Sequence, residues 1–269
     1  MSDYFIFDGT DSRTFDAVVY ERNTFSSPER QFTTVTIPGR SGDFLLDGSR
    51  FGNVAHEYDV VIYRRFDENF EALKAFLLSR KGYCRLEDSI HPNEYYHAYF
   101  SEAITPEVTR NRDMGKFVLS FNRKPQRWLL SGQDEIIMKT GGTPKTTHIT
   151  NPTQFYCYPL LMVKGTSLRN GFKAYVNDTA FELTAYDSST NNYPNSSYLN
   201  SYWLYIDFYT LQAYVKVGSS TYYYNVAMKY TMPSDPKKAF KLNPGMNYVS
   251  FSNSSNAPEI KVIPRWFTL

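Results

Sequence analysis

Aromatic residues are the feature that most limits what this sequence can fold into. They make up 17% of the 269 residues, with 23 Tyr and 20 Phe. Large aromatic side chains favour the half-buried, pleated surface of a β-sheet over a helix. The length also exceeds that of one average domain. We therefore predict a mainly β chain with two domains.

The overall charge argues against one large class of function. At +2, with an isoelectric point near 8.3, the chain lacks the strongly basic character of nucleic-acid binders. No stretch is apolar enough to span a bilayer, and the N-terminus lacks the pattern of a signal peptide. Cys84 and Cys157 lie far apart and do not suggest a disulfide framework. We expect reduced thiols, no membrane insertion, no specific nucleic-acid binding, and synthesis in the cytoplasm or export by another route.

Charged residues change in kind along the chain, and this change places a domain boundary. Residues 1–130 hold 13 Arg and 4 Lys, whereas residues 131–269 hold 2 Arg and 10 Lys. The arginine fork suits protein interfaces, so the first half is the better candidate for assembly. A polar, Gly-containing run from Lys139 to Thr147 indicates a connector or exposed hairpin. We place an N-terminal domain at residues 1–135, a connector at 136–150 and a C-terminal domain at 151–269.

The first half contains one predicted helix and two predicted strands. Apolar residues at helical spacing follow Asp67, a candidate N-cap, and Gly82 follows as a terminator; they are Phe70, Leu73 and Leu77. Alternation predicts strands at residues 58–63 and 116–121, with Phe117, Leu119 and Phe121 on one face.

A long segment between Asn23 and Asn53 has no predicted element of its own. It is mostly polar, and a loop of this length is usually functional or stabilised by a partner. We predict that it reaches onto a neighbouring subunit. The candidate interface residues are Pro38, Gly39, Arg40, Ser41, Gly42, Asp43 and Asn53.

The second half shows the alternation of a β-sandwich. In residues 202–209 one face carries Leu204, Ile206 and Phe208, and the other carries an aromatic set, Trp203, Tyr205 and Tyr209. Short strands separated by Gly, Pro, Asn and Ser support the same architecture. The many tyrosines between Tyr186 and Tyr230 could stack on sugar rings, but we favour sheet packing and protein interfaces.

Several fragments resemble catalytic or metal-binding motifs without meeting their requirements. The run from Gly39 to Asp43 lacks the spacing of a nucleophile elbow, and the run from Gly141 to Thr146 lacks that of a phosphate loop. One cluster has candidate metal ligands without metal-site spacing: Asp88, His91, Glu94 and His97. We expect no enzymatic activity, no cofactor and no metal.

A series of short motifs extends along nearly the whole chain. In the first half they are Pro38 to Asp43, Asp47-Gly48, Asn53, Gly82-Tyr83, Leu86, Asp88 and Pro92. In the second half they are Asn151-Pro152, Tyr158-Pro159, Leu204 to Asp207, Ala213-Tyr214, Pro244-Gly245, Asn247 and Pro264-Arg265-Trp266. In their order and spacing these motifs resemble the distal tail proteins of long-tailed, non-contractile bacteriophages. This sequence has Phe267 after Trp266 where the family often has a second tryptophan.

The resemblance implies a specific fold and role. The expected fold is a tail-tube-like β-sandwich or split barrel with one α-helix and an extended hairpin arm, followed by a galectin-like β-sandwich. The implied protein is a ring subunit, typically of a hexamer, at the tip of a virion tail. Such a ring joins the tail tube protein to the tip or fibre protein and, in many phages, to receptor-binding proteins. Two alternatives are a carbohydrate-binding module for host cell-wall attachment and a cell-wall hydrolase of the tail tip.

Overall fold

The chain divides into two compact units, residues 1–128 together with residue 269, and residues 129–268. The computed structural model describes residues 3–23, 26–140, 143–144, 147–164, 172–177, 179–183, 201–223, 228–229, 240–252 and 259–269. Within these residues the chain is mainly β with one α-helix, as predicted. No helix in the described part of the chain is long and apolar enough to cross a membrane.

The first unit is built on one antiparallel sheet. Its elements are β1 (Phe5–Phe7), β2 (Thr10–Asp11), a 3-10 turn (Ser12–Phe15), β3 (Ala17–Asn23), β4 (Arg30–Val35), β5 (Phe44–Phe51), β6 (Val54–Ile62), α1 (Phe66–Ser79), β7 (Cys84–Asp88), β8 (Glu94–Phe100), β9 (Glu107–Val108), β10 (Gly115–Arg123) and β11 (Arg127–Leu129). The main path of the sheet runs β2-β1-β7-β8-β10-β6-β3, and β9 pairs with β10. β4 and β5 form a separate two-stranded sheet.

Helix α1 covers one face of this sheet because its apolar residues follow the helical period. Phe70, Leu73 and Leu77 are buried in one core with Phe117 and other β10 residues, and the rings of Phe70 and Phe117 lie 5.3 Å apart. The predicted face of β10, Phe117, Leu119 and Phe121, is buried as expected. Both the helix and the strand are thus confirmed.

The predicted helix cap is wrong. The helix begins at Phe66, and the residue before it, Arg65, has a left-handed backbone without a side-chain cap. Asp67 therefore lies in the first turn, where its carboxylate accepts a hydrogen bond from Arg112 (3.0 Å) and favourably meets the positive end of the helix dipole. Gly82 has a positive φ of 73° in the turn after the helix.

The second unit is a sandwich of two sheets. Its elements are a 3-10 turn (Leu130–Gln133), β12 (Ile136–Thr140), β13 (Thr143–Pro144), β14 (His148–Asn151), β15 (Leu160–Lys164), β16 (Phe172–Val176), β17 (Thr179–Leu183), β18 (Leu204–Asp207), β19 (Gln212–Val217), β20 (Ser220–Tyr223), β21 (Met228–Lys229), β22 (Gly245–Ser252), β23 (Glu259–Ile263) and β24 (Phe267–Thr268). One sheet has the order β13-β12-β23-β15-β18-β19-β20 and the other β14-β22-β16-β17-β21.

The sandwich core is filled from both sheets. Leu204, Ile206 and Phe208 are buried in it, so the predicted inward face of this segment is confirmed. From the other sheet, Ala174 and Val249 enter the same core. Cys84 and Cys157 are free thiols, one in each unit, in agreement with the sequence analysis.

The chain passes from the first unit to the second at residues 128–129, before the connector placed at residues 136–150. Much of that segment forms strands of the second unit: β12 pairs with β23, and β14 pairs with β22. Of the run from Gly141 to Thr146, only residues 143–144 fall within the described residues.

Candidate subunit interface

The segment between Asn23 and Asn53 folds as a β-hairpin, which we call the arm (residues 26–53). Its strands β4 and β5 are antiparallel, with Val35 opposite Phe44 and Thr34 opposite Leu45. The six residues of β4 alone span about 20 Å. The arm is an insertion between β3 and β6, two strands that pair directly with each other in the sheet of the first unit.

A tight turn forms part of the tip of the arm. Pro38 and Gly39 occupy its two central positions, and the backbone N–H of Arg40 donates to the carbonyl of Ile37 (3.1 Å). Gly39 has a φ of 80°, so proline followed by glycine gives the arrangement of a type II turn. Across the tip, the hydroxyl of Thr36 donates to the carboxylate of Asp43 (2.8 Å).

The candidate interface residues have different surroundings in the structure. Those of the tip, residues 38–43, are all exposed. The guanidinium of Arg40 makes no hydrogen bond or ion pair with any described residue. Asn53, in contrast, is bonded within its own unit, because its amide donates to the hydroxyl of Tyr83 (2.7 Å) and to the side-chain oxygen of Asn122 (2.6 Å).

The arm carries more apolar side chains than its mostly polar composition predicts. Six large apolar residues of the arm are exposed to solvent: Phe32, Val35, Ile37, Phe44, Leu45 and Leu46. Residues directly opposite in an antiparallel pair share a face. Val35, Phe44 and Leu46 therefore lie on one face of the arm, and Phe32 and Leu45 lie on the other. The arm is apolar on both sides.

Charged residues are also placed along the arm. Arg30 and Asp47 form an ion pair, and the Arg30 guanidinium lies over the rings of Phe32 (5.4 Å) and Phe51 (5.9 Å). This pair partly covers the face that carries Phe32. The face with Val35 and Phe44 has no such cover among the described residues, and with Leu46 it carries three of the exposed apolar side chains.

The residues considered as metal ligands have other partners. The carboxylate of Asp88 accepts from the hydroxyl of Tyr58 (2.8 Å) and from the backbone N–H of His91 (2.7 Å), and Glu94 forms a double hydrogen bond with Arg127. The ring of His97 packs against Trp128. In the described part of the chain, no group of three such side chains could hold a metal ion.

Asp88 is the centre of a buried polar cluster in the first unit. Burial acts to raise its pKa, but the hydrogen bonds from His56, Tyr58 and the His91 backbone outweigh this effect and lower the pKa to about 2. Burial lowers the pKa of His56, so its imidazole is neutral near pH 7. The Tyr58 hydroxyl donates a hydrogen bond to Asp88, so its oxygen accepts one from Nε2–H of His56 (2.8 Å), and this assigns the His56 proton to Nε2.

No model of a known protein family matches the chain, and no curated protein matches it.

The fold is shared with solved structures of phage proteins. The SPP1 Dit (gp 19.1) protein, described as a paradigm of hub adsorption apparatus in phages that infect Gram-positive bacteria, has a TM-score of 0.68 to this chain. The match covers 100% of both chains at 14% identity. A chain of the phage p2 baseplate, in its activated conformation with Sr, has a TM-score of 0.51 at 11% identity and covers 97% of this chain and 98% of its own. The resemblance to distal tail proteins is thus confirmed at the level of the fold.

Proposed function

We propose that this chain is a structural hub subunit at the tail tip of a long-tailed phage and has no enzymatic activity. In this proposal six copies form a closed ring that joins the tail tube protein to the tip or fibre protein and to receptor-binding proteins. The protein is made in the host cytoplasm and resides at the virion tail tip. The fold shared with SPP1 Dit and with the p2 baseplate chain supports this role.

The arm is the observation that carries the proposal. Among the described residues it pairs with no other strand of its own unit, and it exposes apolar side chains on both faces. Exposed apolar surface of this kind marks a protein interface. A closed ring requires that one patch of a subunit meets a different patch of the next, and a projecting arm supplies such a contact. The partner of the arm is therefore a second copy of the chain.

The outer face of the larger sandwich sheet bears on the carbohydrate-binding alternative. Tyr205, Tyr214 and Tyr223 lie opposite one another on adjacent strands β18, β19 and β20. The rings of Tyr205 and Tyr214 stack nearly parallel, 5.3 Å apart, so each covers a face of the other. A sugar platform needs free ring faces. This packing favours the hub role over a sugar site.

The oligomeric state tests the proposal directly. Negative-stain images of the purified full chain are expected to show closed rings with six-fold symmetry, because the arm of each copy meets a different patch of the next copy and such heterologous contacts form a ring when the rotation closes. Light scattering of the same sample gives the mass. A uniform population of 31.2 kDa monomers at every concentration tested would contradict the proposal.

Replacing Arg40 with Ala is expected to weaken ring formation without unfolding either unit. The Arg40 guanidinium, which has no partner among the described residues, offers five donors to a carboxylate or carbonyl opposite, and its loss at an interface costs about 2 kcal/mol or more. Light scattering reports assembly and calorimetry reports folding. Arg110→Ala, which removes an exposed arginine outside the arm, is the matched control. If the Arg40 variant assembled as well as this control, the arginine would have no role in the ring.

A further inference from the structure

The two ends of the arm are held beside the last residues of β10. On one side, the chain enters the arm through residues 26–29, which belong to no strand. On the other side, Gly52 and Asn53 lead into β6. The N–H of Gly52 donates to the carbonyl of Glu29 (2.8 Å), so the two ends lie close together. Their direction therefore sets the direction of the whole arm.

Arg123 contacts the entering end. Its guanidinium donates to the backbone carbonyl of Ser26 (3.1 Å), and also to the carbonyls of Lys124 (3.2 Å) and Pro125 (3.3 Å). The side chain is only 1% exposed, although Arg123 ends the apolar face of β10. Among the described residues it has no carboxylate partner, and its Nε–H has no acceptor.

A buried arginine without a carboxylate is costly, because the charge leaves water without an ion pair to compensate. Burial accordingly lowers the pKa of Arg123. In return, Arg123 holds separate segments of the backbone in a fixed geometry. The planar guanidinium fork reaches backbone carbonyls on two separate segments. One is residue 26, which lies 97 positions from Arg123 in the sequence, and the other is residues 124–125, which directly follow it. A lysine ammonium lacks this fork geometry.

Asn53 holds the leaving end from the opposite face of the sheet. Its amide donates to the side-chain oxygen of Asn122 and to the hydroxyl of Tyr83. Asn122 directly precedes Arg123 in β10, and successive side chains of a strand point to opposite faces. Two adjacent residues of β10 thus hold the two ends of the arm, one from each face.

We propose that Arg123 and Asn53 are positioning residues that fix the direction of the arm for docking onto the next copy of the chain. This inference rests on the proposed ring function. An arm with free ends would sample many directions, and only the competent fraction could bind, so the apparent dissociation constant would rise in proportion. The fixed ends also reduce the conformational entropy lost on assembly. Neither residue needs to touch the neighbouring subunit.

Hydrogen exchange of the full chain, diluted to monomers, tests the positioning role. Arg123→Met and Asn53→Ala are expected to raise exchange of the amides in residues 26–35 by about tenfold or more, because the ends of the arm open more often. Arg127→Met is the matched control. It removes a second arginine of the first unit, one that is partly exposed and paired with Glu94. Its exchange in residues 26–35 should equal that of the unaltered protein.

Assembly is measured separately by light scattering. The Arg123 and Asn53 variants should form rings only at about tenfold higher concentration, while the Arg127 variant assembles normally. Because Asn53 is exposed, its variant remains informative if Arg123→Met fails to fold. Unchanged exchange in residues 26–35 of Asn53→Ala would overturn the inference. If exchange rises as expected but the unaltered chain forms no rings, the positioning role stands and the proposed ring function falls.

Discussion

Replacing Phe44 with Asp is expected to keep the chain monomeric at concentrations where the unaltered protein forms rings. Phe44 lies opposite Val35 on the less covered face of the arm and is 47% exposed in the free chain. About half of the Phe44 side chain is already covered in the free chain, so burying the rest at an interface contributes about 1–1.5 kcal/mol, and burying an unpaired carboxylate instead adds a further penalty of about 2 kcal/mol. The dissociation constant should rise by about 200-fold at each contact. Light scattering over a concentration series measures this change.

A control must show that the loss comes from the arm and not from any new surface charge. Leu78 on α1 is exposed to a similar degree, and Leu78→Asp should leave ring formation unchanged. Calorimetry should find the Phe44 variant as stable as the unaltered chain, since this side chain faces solvent. The Leu78 variant should lose about 1 kcal/mol or less, because its carboxylate lies in the last turn of α1 near the negative end of the helix dipole. Rings formed by the Phe44 variant at ordinary concentration would show that this face of the arm is not buried in the assembly.

Replacing Asp88 with Ala is expected to destabilise the first unit by about 3–5 kcal/mol. The change removes the acceptor of the Tyr58 hydroxyl and of the backbone N–H groups of Ile90 and His91. Tyr58 is fully buried, so its hydroxyl cannot turn to water. Hydrogen exchange of the most protected amides in β6 and β10 measures the free energy of unfolding of this unit. Asp207→Ala is the control, because it removes a buried carboxylate of the second unit that is paired with Arg265. It should leave the exchange of the β6 and β10 amides unchanged.

The same carboxylate makes the first unit sensitive to acid. A pKa of about 2 in the folded state, against 3.8 ordinarily, means that the unfolded chain binds the proton first as the pH falls. The Asp88 carboxylate therefore contributes about 2.5 kcal/mol to the free energy of unfolding. This contribution is fully present above about pH 4 and is lost as the pH falls through about 2. The lowered pKa of His56 acts in the same direction, starting below its ordinary value of 6.5. A first unit as stable at pH 2 as at pH 7 would contradict this assignment.

Regular periodicity made the helix and the main strands predictable from the sequence. The spacing of Phe70, Leu73 and Leu77 is sufficient to define a helix face, and the alternation of Phe117 to Phe121 defines a strand face. The start of the helix was not predictable in the same way. Arg65 adopts a left-handed backbone just before it, and this conformation depends on tertiary packing and has no clear sequence signal.

The arm and its attachment show where sequence periodicity has limits. Phe44, Leu45 and Leu46 are consecutive, so they place apolar side chains on both faces and give no alternation. Without an alternating pattern, the segment between Asn23 and Asn53 was interpreted from its mostly polar composition alone. A signal for Arg123 does exist, because the alternation of buried residues in β10 continues through Phe121 to this position. Arginine is usually exposed, although long polar side chains can be buried when backbone carbonyls satisfy them.

The insertion of the arm between paired strands separates two kinds of evolutionary constraint. β3 and β6 keep their register through their own hydrogen bonds, whatever the length or sequence of the hairpin between them. Residues can thus be added, lost or exchanged in pairs along the arm without shifting any side chain of the sheet from one face to the other. Packing within the first unit constrains the core residues, whereas the surface that the arm covers constrains the residues of the arm. Substitutions in the arm are therefore expected to accompany changes in the surface that it covers, while the sheet of the first unit changes slowly.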